Sequence, residues 1–262
     1  MTAQKRRDSG EHTFLTKKQD LKLKKHIPNI LTSCNLISGC IATCFAFQGR
    51  ASLALLFIVV GAAFDFFDGM SARLLKVSSP IGKELDSLAD VVTFGVAPST
   101  MIFFHLSTAD LPSVLEPCRG ILPFIAYVMA AFSALRLAKF NLDERQALGF
   151  IGMPTPANAL FWASLLVSMP SLFDGSWGVL SVVLLMLLCS WLLVSEIPMF
   201  ALKFKHWGIA DRGNMLKYGF IAFSLMAILI GRVAAVPVII VVYVLLSAML
   251  ALFHAPAAGS PE

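Results

Sequence analysis

Apolar residues fill most of this chain, and the polar residues gather into short clusters roughly every twenty positions. That rhythm is the length of a membrane crossing rather than the 3.6-residue stripe of a surface helix. Hydropathy marks eight candidate spans, at 28–47, 51–73, 86–106, 119–139, 154–172, 177–198, 215–231 and 234–253. The expected fold is all-α, a polytopic integral membrane bundle of about eight transmembrane helices. A basic N-terminal segment (1–27) precedes the membrane-embedded part (28–254), and residues 255–262 read as a disordered tail.

Composition agrees. Of the 262 residues, 57% are hydrophobic and only 14% charged, which excludes an ordinary soluble domain. The first span does not read as a cleavable signal, because its basic flank is long and no small-residue cleavage pattern follows. The polar, basic N-terminal segment reads as a topogenic tail; the alternative is an amphipathic helix on an anionic lipid surface, with Phe14, Leu15, Leu21 and Leu23 facing the membrane. The five cysteines form no C-x-x-C pair and read as small buried hydrophobes.

Charge orients the bundle. With the N-terminus inside, 18 of the 21 Lys and Arg fall on one side, leaving only Arg50, Arg119 and Arg232 on the other. The positive-inside rule then puts both termini in the cytoplasm of a cell (inner) membrane protein.

One polar interruption differs from the rest. DFFDGMSARLLKVSSPIGKELDSLAD (65–90) carries four aspartates between two strongly apolar stretches. Asp65 and Asp68 are three apart and Asp86 and Asp90 four apart, so on helices each pair shares a face. Ser79, Pro80 and Gly82 break the chain between them, so two antiparallel helix ends can bring all four carboxylates to one cytoplasmic point. Unpaired, these charges repel. Hard divalent cations remove the conflict, and oxygen ligands suit Mg²⁺, Mn²⁺ or Ca²⁺ better than zinc. The plain alternative is ordinary ion pairing with Arg73, Lys76 and Lys83. Gly69, Ala72 and Gly82 allow a flat ligand close approach, and Arg73 offers a fork of donors for phosphate. On the preceding span, Pro28 suits a first helical turn, and Asn29 and Thr32 share a face that could bond a nucleotide or simply cap the helix.

The spacing D-x2-D-G-x2-A-R-x8-G-x3-D-x3-D, met by Asp65, Asp68, Gly69, Ala72, Arg73, Gly82, Asp86 and Asp90 without departure, resembles the signature of the CDP-alcohol phosphotransferases. Pro28-Asn29-x-x-Thr32 is similar to that family's donor segment. The resemblance implies transfer of a phosphatidyl-type group from a CDP-linked donor to an alcohol, with release of CMP. It implies a site of two ions held by Asp65, Asp68, Asp86 and Asp90, with Asp90 also the catalytic base. Asn29, Thr32, Gly69, Ala72, Arg73, Ser79 and Gly82 would bind CDP-diacylglycerol, and the enzyme would be a homodimer.

Three further stretches, Arg136–Asn141, Gly149–Asn158 and Leu192–Lys205, resemble the bacterial and archaeal phosphatidylserine synthases of this superfamily, which implies L-serine as acceptor. Serine is a zwitterion. Arg136 or Lys203 could meet its carboxylate, Glu196 its ammonium, and Asn141 could contact it; membrane anchoring and local pairing are the plain alternatives for these residues. A sister enzyme acting on glycerol 3-phosphate or an inositol phosphate remains a competing expectation. So does a membrane cation transporter, against which all four carboxylates lie at one end of their spans. No nucleic-acid partner is expected.

Overall fold

The computed structural model describes residues 26–77, 79–143, 150–175, 177–199 and 212–254, and each of the eight apolar segments is helical. Helix α1 (His26–Phe47) and α2 (Ala51–Leu75) form the first hairpin. Pro28 lies in the first turn of α1, where a missing N–H costs no hydrogen bond. Helix α2 ends as Lys76 turns into left-handed backbone with φ 53°. The Val77 N–H then donates back to the Ala72 carbonyl at 3.0 Å, satisfying a carbonyl that the helix leaves open.

Helix α3 (Pro80–Asp90) restarts at once. Ser79 caps it, its Oγ accepting from the Gly82 N–H at 3.0 Å, and Pro80 opens the first turn. Helix α3 continues through a π-helical turn, Val91–Val96, into α4 (Ala97–Thr108). The result is one apolar rod of 29 residues, Pro80–Thr108. The wider turn lies just ahead of Pro98, which cannot donate to the carbonyl four residues back.

Helices α5 (Tyr127–Leu142), α6 (Thr155–Ser168), α7 (Gly178–Val194), α8 (Arg212–Gly231) and α9 (Ala235–His254) complete the bundle. Five stretches among the described residues are long and apolar enough to cross a membrane: His26–Phe47, Ala51–Leu75, Pro80–Thr108, Leu122–Leu142 and Asn214–Leu252. Two features account for the difference from the eight expected spans. Helices α8 and α9 run on through a single 3₁₀ turn, Arg232–Ala234, and count as one stretch. Helices α6 and α7 have 14 and 17 residues, short of the roughly 20 that cross a bilayer.

Helix α6 is short because it is internal. It packs against α2, α4 and α9, and Trp162, Ala159 and Ala163 along it are fully buried. Around it lie Phe94, Ile102, Met129, Val182 and Met186, the centre of the core. A two-residue antiparallel ladder, β1 (Phe150–Ile151) with β2 (Pro198–Met199), ties the approach to α6 to the segment after α7. Gly152 follows at φ 74°, where a Cβ would lie 2.7 Å from the Leu193 carbonyl oxygen; only glycine fits that approach. Large apolar side chains cover the outside, among them Leu56, Phe66, Leu184 and Leu229. Such a surface is stable in lipid rather than in water, so the chain is a multi-pass membrane protein. The N-terminal amphipathic stretch, Lys203 and residues 255–262 lie outside the described residues.

Candidate active site

The aspartates converge as their spacing requires. Asp65 and Asp68 sit in the last three turns of α2, and Asp86 and Asp90 lie on the antiparallel α3. One carboxylate oxygen from each of Asp65, Asp68 and Asp86 falls within 4.8 Å of the others. Asp90, one turn further along α3, faces Asp65 and Asp86. Asp68 and Asp90 are buried, with 6% and 7% exposure.

Two of the cations that the plain alternative would pair with these aspartates bond elsewhere. Arg73 donates from Nε to the Gly69 carbonyl at 2.9 Å, and Lys83 donates to the Asn141 carbonyl at 3.0 Å. Among the described residues none of the four carboxylates pairs with a lysine or arginine. Asp86 Oδ1 is buried without any hydrogen-bond partner. An orphaned buried carboxylate oxygen is costly, and a hard cation among three converging carboxylates removes that cost. The donor set therefore fits a divalent metal ion of the Mg²⁺ type.

Helix α1 closes the site from the other side. Thr32 Oγ1 donates to Asp68 Oδ2 at 2.6 Å and lies 3.0 Å from the Pro28 carbonyl. Asn35 Nδ2 donates to Asp90 Oδ1 at 3.0 Å. Beside the carboxylates a cavity of about 210 Å³ is lined by Asn29, Thr32, Asp68, Gly69, Ala72, Ser79, Gly82 and Asp86. Six of the seven expected donor-site residues thus border one space. Arg73 does not line it; its side chain is exposed on α2, one turn from Gly69.

A second cavity, of about 280 Å³, lies between the ends of α5 and α7. Arg136 and Glu196 line it, together with Lys139, Asp143 and Ser195. Arg136 is 6% exposed. Its guanidinium carbon lies 5.2 Å from the centre of the Phe140 ring, and Nε and Nη2 have no hydrogen-bond partner. The charge of Asp90 acts on Arg136, while none of the four clustered aspartates lines this cavity. Asn141 lies outside that lining. Its Nδ2 donates to Ser87 Oγ at 2.8 Å, linking α5 to α3.

Sequence reasoning did not assign site roles to Asn35, Thr93, Lys139 or Asp143. Asn35 carried a readable signal, because Asn29, Thr32 and Asn35 recur every three residues and so follow one face of α1. Thr93 carried none, since its place depends on the π-helical turn.

The family model for CDP-alcohol phosphatidyltransferase matches residues 25–194. The chain is 43% identical over 131 residues to a CDP-diacylglycerol–serine O-phosphatidyltransferase of Bacillus subtilis, covering 50% of this chain and 70% of that protein. It is 33% identical over 187 residues to the protein of that name from Mycobacterium leprae, covering 66% of this chain and 57% of the relative. An archaetidylserine synthase of Methanothermobacter thermautotrophicus is 28% identical over 174 residues, covering 65% of this chain and 68% of the relative.

Proposed function

We propose, for a chain that belongs to the CDP-alcohol phosphatidyltransferase family, that it transfers the phosphatidyl group of CDP-diacylglycerol to the hydroxyl of L-serine, giving phosphatidylserine and CMP. The observation that carries this reading is the meeting of three aspartate carboxylates within 4.8 Å, bordering the cavity of about 210 Å³, in a chain whose relatives carry that activity in their names.

The division of labour follows from position. Asp65, Asp68, Asp86 and Asp90 hold divalent metal, Mg²⁺ or Mn²⁺ with Ca²⁺ also compatible, in a site of two ions. Metal held there would supply positive charge to the diphosphate and the departing CMP oxygen. Asn29, Thr32, Gly69, Ala72 and Gly82 shape the cytidine end of the cavity, where the absence of large side chains admits a flat base. Ser79 and Arg73 serve the diphosphate. Asp90 takes the proton of the serine hydroxyl. The hydroxyl oxygen attacks the phosphorus that bears the diacylglycerol, and the bond from that phosphorus to the CMP oxygen breaks.

The second cavity supports serine as acceptor. Arg136 lines it and has two buried nitrogens without a hydrogen-bond partner, which an anion would satisfy, and Glu196 and Asp143 border the same space. A cavity with cations and anions matches a zwitterion, whereas a phosphorylated alcohol would call for cations alone. Lys203 is a further candidate for the carboxylate. Serine approaches from the cytoplasm, on the side favoured by the 18 Lys and Arg, and the unit is a homodimer by analogy with the family. The test is to incubate purified protein with CDP-diacylglycerol and, separately, serine, glycerol 3-phosphate and inositol phosphate. Phosphatidylserine formed with serine alone is the expected result; a phosphorylated lipid product with no phosphatidylserine would replace serine as the acceptor.

A further inference from the structure

Helix α1 grips the rod that carries Asp90 at two levels, and both grips involve one residue. The Asn35 side chain is fully buried, and its Nδ2 donates to Asp90 Oδ1 at 3.0 Å. The Asn35 backbone carbonyl accepts from Thr93 Oγ1, also at 3.0 Å. Thr93 is fully buried and lies in the π-helical turn that starts immediately after Asp90.

Two glycines make this approach possible. A Cβ on Gly39 would lie 2.8 Å from Thr93 Cα, and one on Gly61 would lie 2.6 Å from Thr93 Cγ2 and 3.0 Å from Asn35 Oδ1. Helices α1 and α2 therefore wedge Thr93 between them, and the Asn35 amide has little room to turn. Its orientation is also set chemically. An amide oxygen turned toward Asp90 would oppose two acceptors, so only the NH₂ edge can face the carboxylate.

From this we infer that Asn35 is the positioning residue for Asp90: by bonding Oδ1 it fixes the plane of the carboxylate and leaves Oδ2 for the metal and the acceptor hydroxyl. Asn35 lines neither of the two cavities, so it acts through Asp90. It fixes the carboxylate's rotation about its Cβ–Cγ bond through a neutral donor, without an added charge beside the aspartate cluster. Thr93 supports it by anchoring the backbone from which the amide projects. The inference rests on the assignment of Asp90 as the base.

The experiment compares wild type, Asn35→Leu and Thr93→Val as purified full-length protein in one detergent and lipid mixture. It measures kcat, the KM for each substrate and the thermal unfolding midpoint. Asn35→Leu keeps the volume and removes the donor; kcat is expected to fall about ten- to a hundred-fold, the usual consequence of losing one charge-assisted hydrogen bond. Both KM values should stay within about twofold, because the lost contact is not to substrate. Thr93→Val should lower kcat less, again without moving KM. A kcat within about twofold of wild type in Asn35→Leu, or a loss expressed in KM, would overturn the inference. If Asn35→Leu does not fold, Thr93→Val decides: a lowered kcat with KM and midpoint intact supports the positioning role, and an unchanged kcat overturns it. Wild-type protein that makes no phosphatidylserine would count against the proposed acceptor instead, and the same kcat comparison is then made with whichever alcohol the wild type uses.

Discussion

Thr32 on α1 and Asp68 on α2 are joined by a 2.6 Å hydrogen bond between their side chains, 36 residues apart in the chain. The bond gives Thr32, a proposed donor-site residue, a second task, because it orients a carboxylate of the proposed metal set. Partners of metal ligands typically matter about 10–100-fold in metal affinity. Thr32→Val should therefore raise the Mg²⁺ or Mn²⁺ concentration for half-maximal activity by about that factor. A metal titration at saturating substrates checks it; an unchanged midpoint would confine Thr32 to nucleotide binding or helix capping.

Asp90→Asn should fold and insert yet lose about 10²-fold or more in kcat, the contribution general-base catalysis commonly makes. The amide keeps the shape and removes the proton acceptor. The check is turnover per folded molecule, with folding followed by size-exclusion profile. Retention of more than about a tenth of wild-type kcat would place the base elsewhere.

Chelation should abolish activity, and added Mg²⁺ or Mn²⁺ should restore it. The reason is the convergence of Asp65, Asp68 and Asp86 with no basic partner among the described residues. The measurement is turnover after extensive dialysis against EDTA, then on titrating metal back. Full turnover in excess EDTA would remove the metal assignment.

Arg136→Gln should raise the KM for serine about ten- to a hundred-fold, corresponding to the loss of a charge-assisted hydrogen bond. The KM for CDP-diacylglycerol should barely move, because Arg136 lines the second cavity and not the first. Lys203→Gln serves as the companion variant. If serine KM is unaltered in both, on protein of verified orientation, the acceptor site lies elsewhere.

Gly61→Val should destabilise the bundle without touching a reacting group. Any Cβ at this position meets Thr93 Cγ2 at 2.6 Å, and overpacking of this kind usually costs about 1–3 kcal/mol. A lowered thermal midpoint is the expected result. An unchanged midpoint would mean that α1, α2 and the Pro80–Thr108 rod separate easily, which would also weaken the grip on Asp90.

Much of this protein was legible in one dimension, because membrane proteins write their helices as long apolar runs and the aspartate motif is local. Asp65, Asp68 and Asp86 reach one point, with Asp90 one turn along, through two periodicities and one turn, all within 26 residues. Span length was less legible. Helix α6 is short because its neighbours, not lipid, cover it, and the sequence shows apolarity without showing what satisfies it. Arg136 and Glu196 were nameable from charge alone. That they share a cavity while Asn141 ties α5 to α3 depended on how α5 and α7 end against each other. Most dependent on tertiary structure is the link from Asn35 to Asp90, 55 residues apart. The sequence determined that α1 carries a polar face and that α3 carries carboxylates. Which amide meets which carboxylate was decided by two glycine contacts and a π-helical turn, because the close approach of three helix backbones is a property of their packing and not of any one of them.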